Sequence, residues 1–346
     1  MTMKEVAQLA GVSVATVSNV ITGKKYVNPE LVAKVRSTME AVNYIPNASA
    51  RSLRVKQTSQ IAVILPDTSV QFYGLVLKSI EKFAYSRGYS VCIGNDNYDY
   101  AREIELIESF IGANVDGIIN IAALFRKRDV PKLAGKPMVM VQRLEFPDSK
   151  DAPEGRCSNI GFIGTDNWAG MEMTMALCCK TAKSKFMYLG GSGQMQYPNA
   201  SMRIECFHAY LKKVGVPRER ISWYECGFSF NDGYERMRKL LEEGLDVRDT
   251  AIACSNDDSA WGVIEALREY GLRVPEDVAV IGCDDIDYAA HITPPLSTVH
   301  NDHVQLGTGA AKMLLDYLAD SAKGLNERCI TIMPHLVTRK SMVEGV

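Results

Sequence analysis

At 346 residues the chain has room for two or three domains, and its 47% hydrophobic and 23% charged residues are those of an ordinary globular protein. No run approaches the ~20 apolar residues of a membrane-spanning helix. No charged-then-apolar leader opens the chain, so a cytoplasmic location is expected. The net charge of −2 hides an asymmetry: residues 1–57 carry eight Lys/Arg against three Glu, a net +5, which leaves −7 for the remainder. A basic module on an acidic body suits phosphate contact through the module alone. The nine cysteines are odd in number, lack CxxC spacing and include the adjacent Cys178 and Cys179. They read as buried thiols in a reducing compartment, not as a disulfide or zinc framework.

Met3 to Gly23 reads as two short helices and a tight turn. Val6, Leu9 and Ala10 recur at helical spacing, as do Val17, Val20 and Ile21. Thr2 and Glu5 match a capping box, Gly11 suits the left-handed exit from the first helix, and Ser13 is the natural N-cap of the second. The pattern fits a helix-turn-helix, whose second helix enters the DNA major groove; it also fits two ordinary helices of an α domain. A third helix opens at Asn28-Pro29-Glu30, with Leu31, Val32, Val35 and Met39 as its apolar stripe. Three helices around Val6, Val17, Val20 and Val35 make a compact headpiece over residues 1–46. Lys24 and Lys25 read equally as phosphate contacts or a solvated turn. Residues 47–59 follow as a short helix, Asn47 to Leu53, and a polar linker. A helix of this length is unstable alone and forms only against another surface.

From Ile61 the pattern changes to short apolar runs alternating with helical stretches. The strands expected are Ile61–Leu65, Tyr89–Ile93, Gly117–Ile121, Met138–Val141, Phe186–Leu189, Ile221–Cys226, Ala251–Cys254 and Val278–Ile281. Between them Leu75–Arg87, Glu103–Ile111, Met202–Val214, Gly233–Glu243, Ser259–Tyr270 and Val304–Leu318 have helical periodicity. This βα repetition predicts doubly wound parallel sheets, and its length predicts two α/β subdomains. Ligands of such folds bind beyond the carboxyl ends of the strands. There lie Asp67, Phe72-Tyr73, Asn95-Asp96, Asn120, Gln142-Arg143, Phe228, Asn256-Asp257 and Cys283-Asp284-Asp285. Rings that stack on a sugar's C–H face, together with acids, amides and an Arg that pair with hydroxyls, suit a small polyhydroxylated molecule.

Other constellations have plainer readings. The pairs Asp257-Asp258 and Asp284-Asp285 resemble acid/base or metal sites, but no partnered His or Cys accompanies them, so hydroxyl binding and helix capping are expected. His300 and His303 have HxxH spacing without a third ligand. Gly190-Gly191-Ser192-Gly193 lacks the closing Gly of GxSxG and the Lys of a phosphate loop, and reads as a turn.

KEVAQLAGVSVATVSNVITG, YIPNASARSLR, GLRVPEDVAVIGCDD and PPLSTVH together resemble the lactose/galactose repressor (LacI/GalR) family of bacterial transcription regulators, across essentially the whole chain. The resemblance implies an α/β fold class: a three-helix helix-turn-helix headpiece followed by a two-subdomain, doubly wound body like the type I periplasmic binding proteins. It places the N-subdomain at about 60–160 and 291–323, and the C-subdomain at about 161–290 and 324–346. It implies a recognition helix from Val14 to about Ile21, with Ala15, Thr16 and Asn19 toward base edges and Ser18 at phosphates. Thr2, Ser13, Val14, Lys24, Lys25, Tyr26, Asn47 and Arg51 complete the DNA contacts. Ala50 would face the minor groove, and Leu53 would wedge between the central base pairs. The effector site implied comprises Asp67, Phe72, Tyr73, Asn120, Arg143, Arg203 (in an R-x-E-x-F setting), Phe228, Asn256 and Asp284.

Two departures stand out. Asn19 occupies a position where the family commonly has Arg, and Gln142 precedes Arg143 where many relatives have Asp. The expected protein is a homodimeric repressor, without catalytic residues, metal or cofactor. It would bind a palindromic operator, with a sugar or sugar derivative in the interdomain cleft. No heptad tail follows Arg339, which argues for a dimer. The alternatives are a sugar-binding protein or enzyme on the same fold without DNA, and a regulator dependent on a corepressor or partner protein.

Overall fold

In the structure, a computed structural model, residues 1–23, 25–44, 57–145, 157–191, 198–321, 325 and 329–342 are described, with backbone only at 22 and 198–200. The chain forms two units, Met1–Thr58 and Ser59–Val346.

The first unit contains α1 (Met3–Leu9), α2 (Val14–Thr22) and α3 (Pro29–Ala41). Each start is fixed locally. Thr2 Oγ1 accepts the Glu5 amide while Glu5 Oε2 accepts the Thr2 amide at 2.7 Å. Ser13 Oγ accepts the Thr16 amide at 3.0 Å, and Asn28 Oδ1 accepts that of Glu30 at 2.9 Å. Gly11 and Gly23 take the left-handed conformation at the ends of α1 and α2, at φ of 60° and 65°. Val6, Ala7, Ala10, Val17 and Val35 form the core, with Val20 and Ile21 at its margin. Leu9, expected among the inward residues, is instead 60% exposed. Ala7 lies inward.

The second unit holds two parallel sheets. β1 (Gln60–Leu65), β2 (Ser90–Asn95), β3 (Gly117–Ile121), β4 (Met138–Val141), β5 (Ile160–Thr165) and β11 (Cys329–Ile332) form a six-stranded sheet in the order β11-β5-β4-β3-β1-β2. Val63 registers with Ile93 and Ile119, and Met140 with Phe162. Ile61, Val63 and Leu65 face α4 (Gln71–Ser86) and α10 (His303–Ala319). Ala62 and Ile64 face α5 (Tyr100–Gly112) and the 3-10 turn Lys127–Leu133. Covering both faces explains why β1 reads as a continuous apolar run.

The second sheet has the order β7-β6-β8-β9, from β6 (Lys185–Leu189), β7 (Ile221–Tyr224), β8 (Thr250–Cys254) and β9 (Val278–Ile281). α8 (Phe230–Glu242) and α9 (Asp257–Glu269) cover one face; α6 (Asn167–Lys180) and α7 (Pro198–Lys213) cover the other. An antiparallel ribbon of β10 (Thr298–His300) and β12 (His335–Val337) lies between the sheets in the chain path.

The chain passes between the subdomains at β5–α6, β10–α10 and β11–β12. Two boundaries therefore move from those expected. Residues 161–165 belong to the first sheet, since β5 pairs with β4. Cys329–Ile332 also belong there, since β11 pairs with β5. The strand at 160–165, the helix after it and the ribbon were not anticipated. Hinge residues Asn47, Ala50, Arg51 and Leu53, and also Lys24, fall outside the described residues.

Candidate functional site

The headpiece presents α2 with two unlike faces. Val17 is buried, and the Thr16 hydroxyl is shared with Ser13 Oγ at 2.9 Å. Val14 and Ala15 are exposed, while Asn19, one turn beyond Ala15, is half-buried. Among the described residues the Asn19 amide makes no side-chain hydrogen bond, which leaves both its donor and its acceptor for an outside partner. Tyr26 is 89% exposed.

The body has a cleft that, with its open mouth, takes in about 610 Å³. Val70, Phe72, Tyr73, Ala122 and Gln142 line it from the first subdomain. Tyr188, Arg203, Phe228, Ser255, Asn256 and Asp284 line it from the second. Phe72 and Tyr73 pack edge to face at 5.9 Å, and Phe228 stacks on Tyr98, from the loop after β2, at 5.7 Å across the cleft. Ala122, Gln142 and Asp284 sit at positive φ (54°, 58° and 115°) just past β3, β4 and β9.

Arg203 is half-buried. Its Nε and Nη2 donate to Asn167 Oδ1, and its Nη1 donates to the Ser255 carbonyl. Asp284 accepts Asn301 Nδ2 at 2.8 Å. Burial raises its carboxyl to about 7, against Arg203 and Asn301, which pull it down. The Tyr73 hydroxyl is raised by burial and then by Asp284, so it stays protonated. Asn256 spends its polar atoms on structure: Oδ1 caps α9 at Ser259, and Nδ2 donates to the Phe228 carbonyl, anchoring the backbone there.

Three expected effector residues do not line the cleft. Asp67 Oδ1 caps the Ser69 amide. Asn120 is buried against Glu103, donating at 2.5 Å. Arg143 turns to the Ala123 carbonyl, donating from Nε at 2.9 Å and from Nη2 at 2.7 Å. Conversely, Val70, Ala122, Tyr188 and Ser255 line it without having been expected. Gln142 is held by Thr165, whose amide donates to Oε1 at 3.3 Å.

Of the constellations singled out in sequence, Asp257 is a buried structural acid, bonded to the Thr298 hydroxyl and the Ile286 amide. Asp285 pairs with Arg339 and His300. Among the described residues no three His, Cys, Asp or Glu side chains gather as a metal site, and no helix is long and apolar enough to cross a membrane.

Residues 2–47 match the bacterial regulatory proteins of the lacI family, and 182–342 match the periplasmic binding protein-like domain. The ribose operon repressor of Escherichia coli (strain K12) is 31% identical over 343 residues, 98% of this chain and 99% of the relative. This chain belongs to the LacI family. The HTH-type transcriptional repressor PurR of Histophilus somni (strain 129Pt) is 30% identical over 351 residues, 99% of this chain and 98% of the relative.

Among solved structures, the lac repressor dimer bound to operator and the anti-inducer ONPF superposes with a TM-score of 0.83 at 24% identity, covering 99% of each chain. A LacI family regulator of Enterococcus faecium with bound ribose gives 0.70 at 23%, over 83% of this chain and all of the other. As a LacI family member the chain is a DNA-binding transcriptional regulator, not an enzyme.

Proposed function

We propose that the protein is a cytoplasmic homodimeric repressor. It binds a palindromic operator and is governed by a sugar or sugar derivative in the cleft between its subdomains. The observation that carries the effector reading is the cleft itself: the aromatic pair Phe72 and Tyr73 on one side, and Phe228, Arg203 and the buried Asp284 on the other. Rings cover the C–H face of a sugar, while the carboxylate and guanidinium take its hydroxyls. The names of the relatives and neighbours, a ribose operon repressor and a ribose-bound regulator, support the same class.

Two headpieces read two half-sites, so protein symmetry is mirrored in the DNA. The recognition contacts are Ala15, Thr16 and Asn19, with Thr2, Ser13, Val14, Ser18, Lys24, Lys25 and Tyr26 around them. The hinge adds Asn47, Ala50, Arg51 and the Leu53 wedge. Effector binding shifts the balance between subdomain arrangements, and with it the spacing of the paired hinge helices. Being short, those helices form or melt on a small change in spacing.

Salt-dependent binding to a palindromic operator, lost on deleting residues 1–57, tests the DNA half. A thermal-shift panel of sugars and purines tests the effector half, since a true effector stabilises by mass action. A flat response to every sugar refutes the sugar reading.

A further inference from the structure

Two hydroxyls in the cleft wall have no use in the free protein. Tyr188 Oη and Ser255 Oγ are both buried, and neither has a hydrogen-bond partner among the described residues. An enclosed hydroxyl without a partner costs about 1–3 kcal/mol, so two in one wall call for a physical reason. They converge on one spot: a Cβ placed on Gly190 would lie 3.0 Å from Tyr188 Oη and 3.1 Å from Ser255 Oγ. A side chain at Gly190 would crowd both oxygens, so its absence leaves them room to turn toward a partner.

Arg203 closes the same wall. It has five N–H groups, of which Nε, one on Nη1 and one on Nη2 are spent on Asn167 and Ser255. Its charge lies close enough to Tyr188 to lower that hydroxyl's pKa, against the larger effect of burial, which raises it. The Tyr188 hydroxyl therefore stays protonated and is a donor. The opposite wall, from the first subdomain, is aromatic and apolar apart from the Tyr73 hydroxyl and Gln142, which Thr165 holds. Hydroxyl recognition is thus concentrated on the second subdomain.

We infer that Tyr188 and Ser255, backed by Arg203, form a subsite for one ring hydroxyl of the effector and so determine which sugars this regulator accepts. The inference rests on the sugar reading of the cleft. The subsite has a physical basis for selectivity, because a site built to bond a hydroxyl strongly rejects the analogue lacking it.

The experiment uses the full chain, with a panel of D-aldopentoses, D-aldohexoses and the monodeoxy analogues of whichever sugar binds most tightly, read by calorimetry. For the wild type, removal of one particular hydroxyl is expected to weaken binding about tenfold or more. In Tyr188→Phe and Ser255→Ala that penalty falls to less than about twofold, while the penalties at the other hydroxyls stay as they were. Tyr188→Phe keeps the ring against Phe207, and ligand-free melting curves verify that both variants fold. If both variants bind every analogue as the wild type does, or weaken all of them by one common factor, the subsite is refuted and the sugar reading stands. If no sugar binds the wild type, the sugar reading fails and the subsite with it.

Discussion

Glu103 offers a sharp test of the electrostatics of the body. It lies on the first turn of α5, fully enclosed, and its Oε1 accepts Asn120 Nδ2 at 2.5 Å and the Leu124 amide at 3.1 Å. Its Oε2 and Asn120 Oδ1 are buried with no partner among the described residues. With the carboxyl ionised, both are acceptors without donors. A proton on Oε2 removes the buried charge and turns one of these acceptors into a donor. Burial raises the group from its usual 4.5 to about 7; Asn120 opposes the rise and the Asp96 charge adds to it. The folded state then holds the proton to higher pH than the unfolded chain does. This group's stabilising contribution is full below pH 4.5 and is lost as pH rises through about 7. The shift is equivalent to about 3 kcal/mol at pH 8 and about 1 kcal/mol at pH 5.5.

Glu103→Gln replaces that proton with an amide hydrogen and carries no charge. The variant should exceed the wild type in urea-unfolding free energy by about 3 kcal/mol at pH 8, shrinking to about 1 kcal/mol at pH 5.5. Asp96, itself raised to about 6 mainly by burial, is present in both proteins and cancels to first order. A variant less stable than wild type at pH 8, or a difference that does not change with pH, refutes the reasoning.

Three further outcomes are expected. Asn reads adenine where Arg reads guanine, so Asn19→Arg should reorder a panel of operator variants, by about 1–3 kcal/mol at one base pair of each half-site in fluorescence-polarisation titrations; an unchanged ranking removes Asn19 from base readout. Asp284 accepts hydroxyl donors best when ionised, and its carboxyl stands at about 7, so sugar affinity should rise about tenfold from pH 6 to pH 8 and lose this slope in Asp284→Asn. Arg339 and His300 outweigh burial in holding Asp285 below the usual carboxylate range, so the stability they confer is present above about pH 4 and lost as pH falls. Arg339→Met should therefore cost about 3 kcal/mol at pH 7 in thermal or urea unfolding, and much less at pH 3.

The residues legible in sequence were those whose roles are set within a few positions. Thr2, Ser13 and Asn28 cap the helices that they precede, and the bonds span two or three residues. The strands of both sheets stood out as apolar runs because covering helices bury both faces. Helix α6 did not stand out, because NWAGMEMTMALCCK is apolar on most sides and lacks a clean stripe. It buries Gly170, Met171, Thr174, Met175, Leu177 and Cys178. Strand β5 was hidden by the glycines of IGFIGT.

By itself the sequence determined the helix-turn-helix, the βα order and the strand ends where a ligand must sit, since period, capping and turn chemistry are local. Only the tertiary structure decided which side chains at those ends reach the cleft. Asn120 and Arg143 have the chemistry of ligand contacts, yet Glu103 and the Ala123 carbonyl, 17 and 20 residues away, draw them inward. Tyr188 alternates along β6 like a core residue, yet its hydroxyl ends beside Ser255 in the wall of the cleft. The reason is that a strand fixes only which face a side chain leaves from. Where its polar end finds a partner depends on chain far away in sequence, brought close by the sheets.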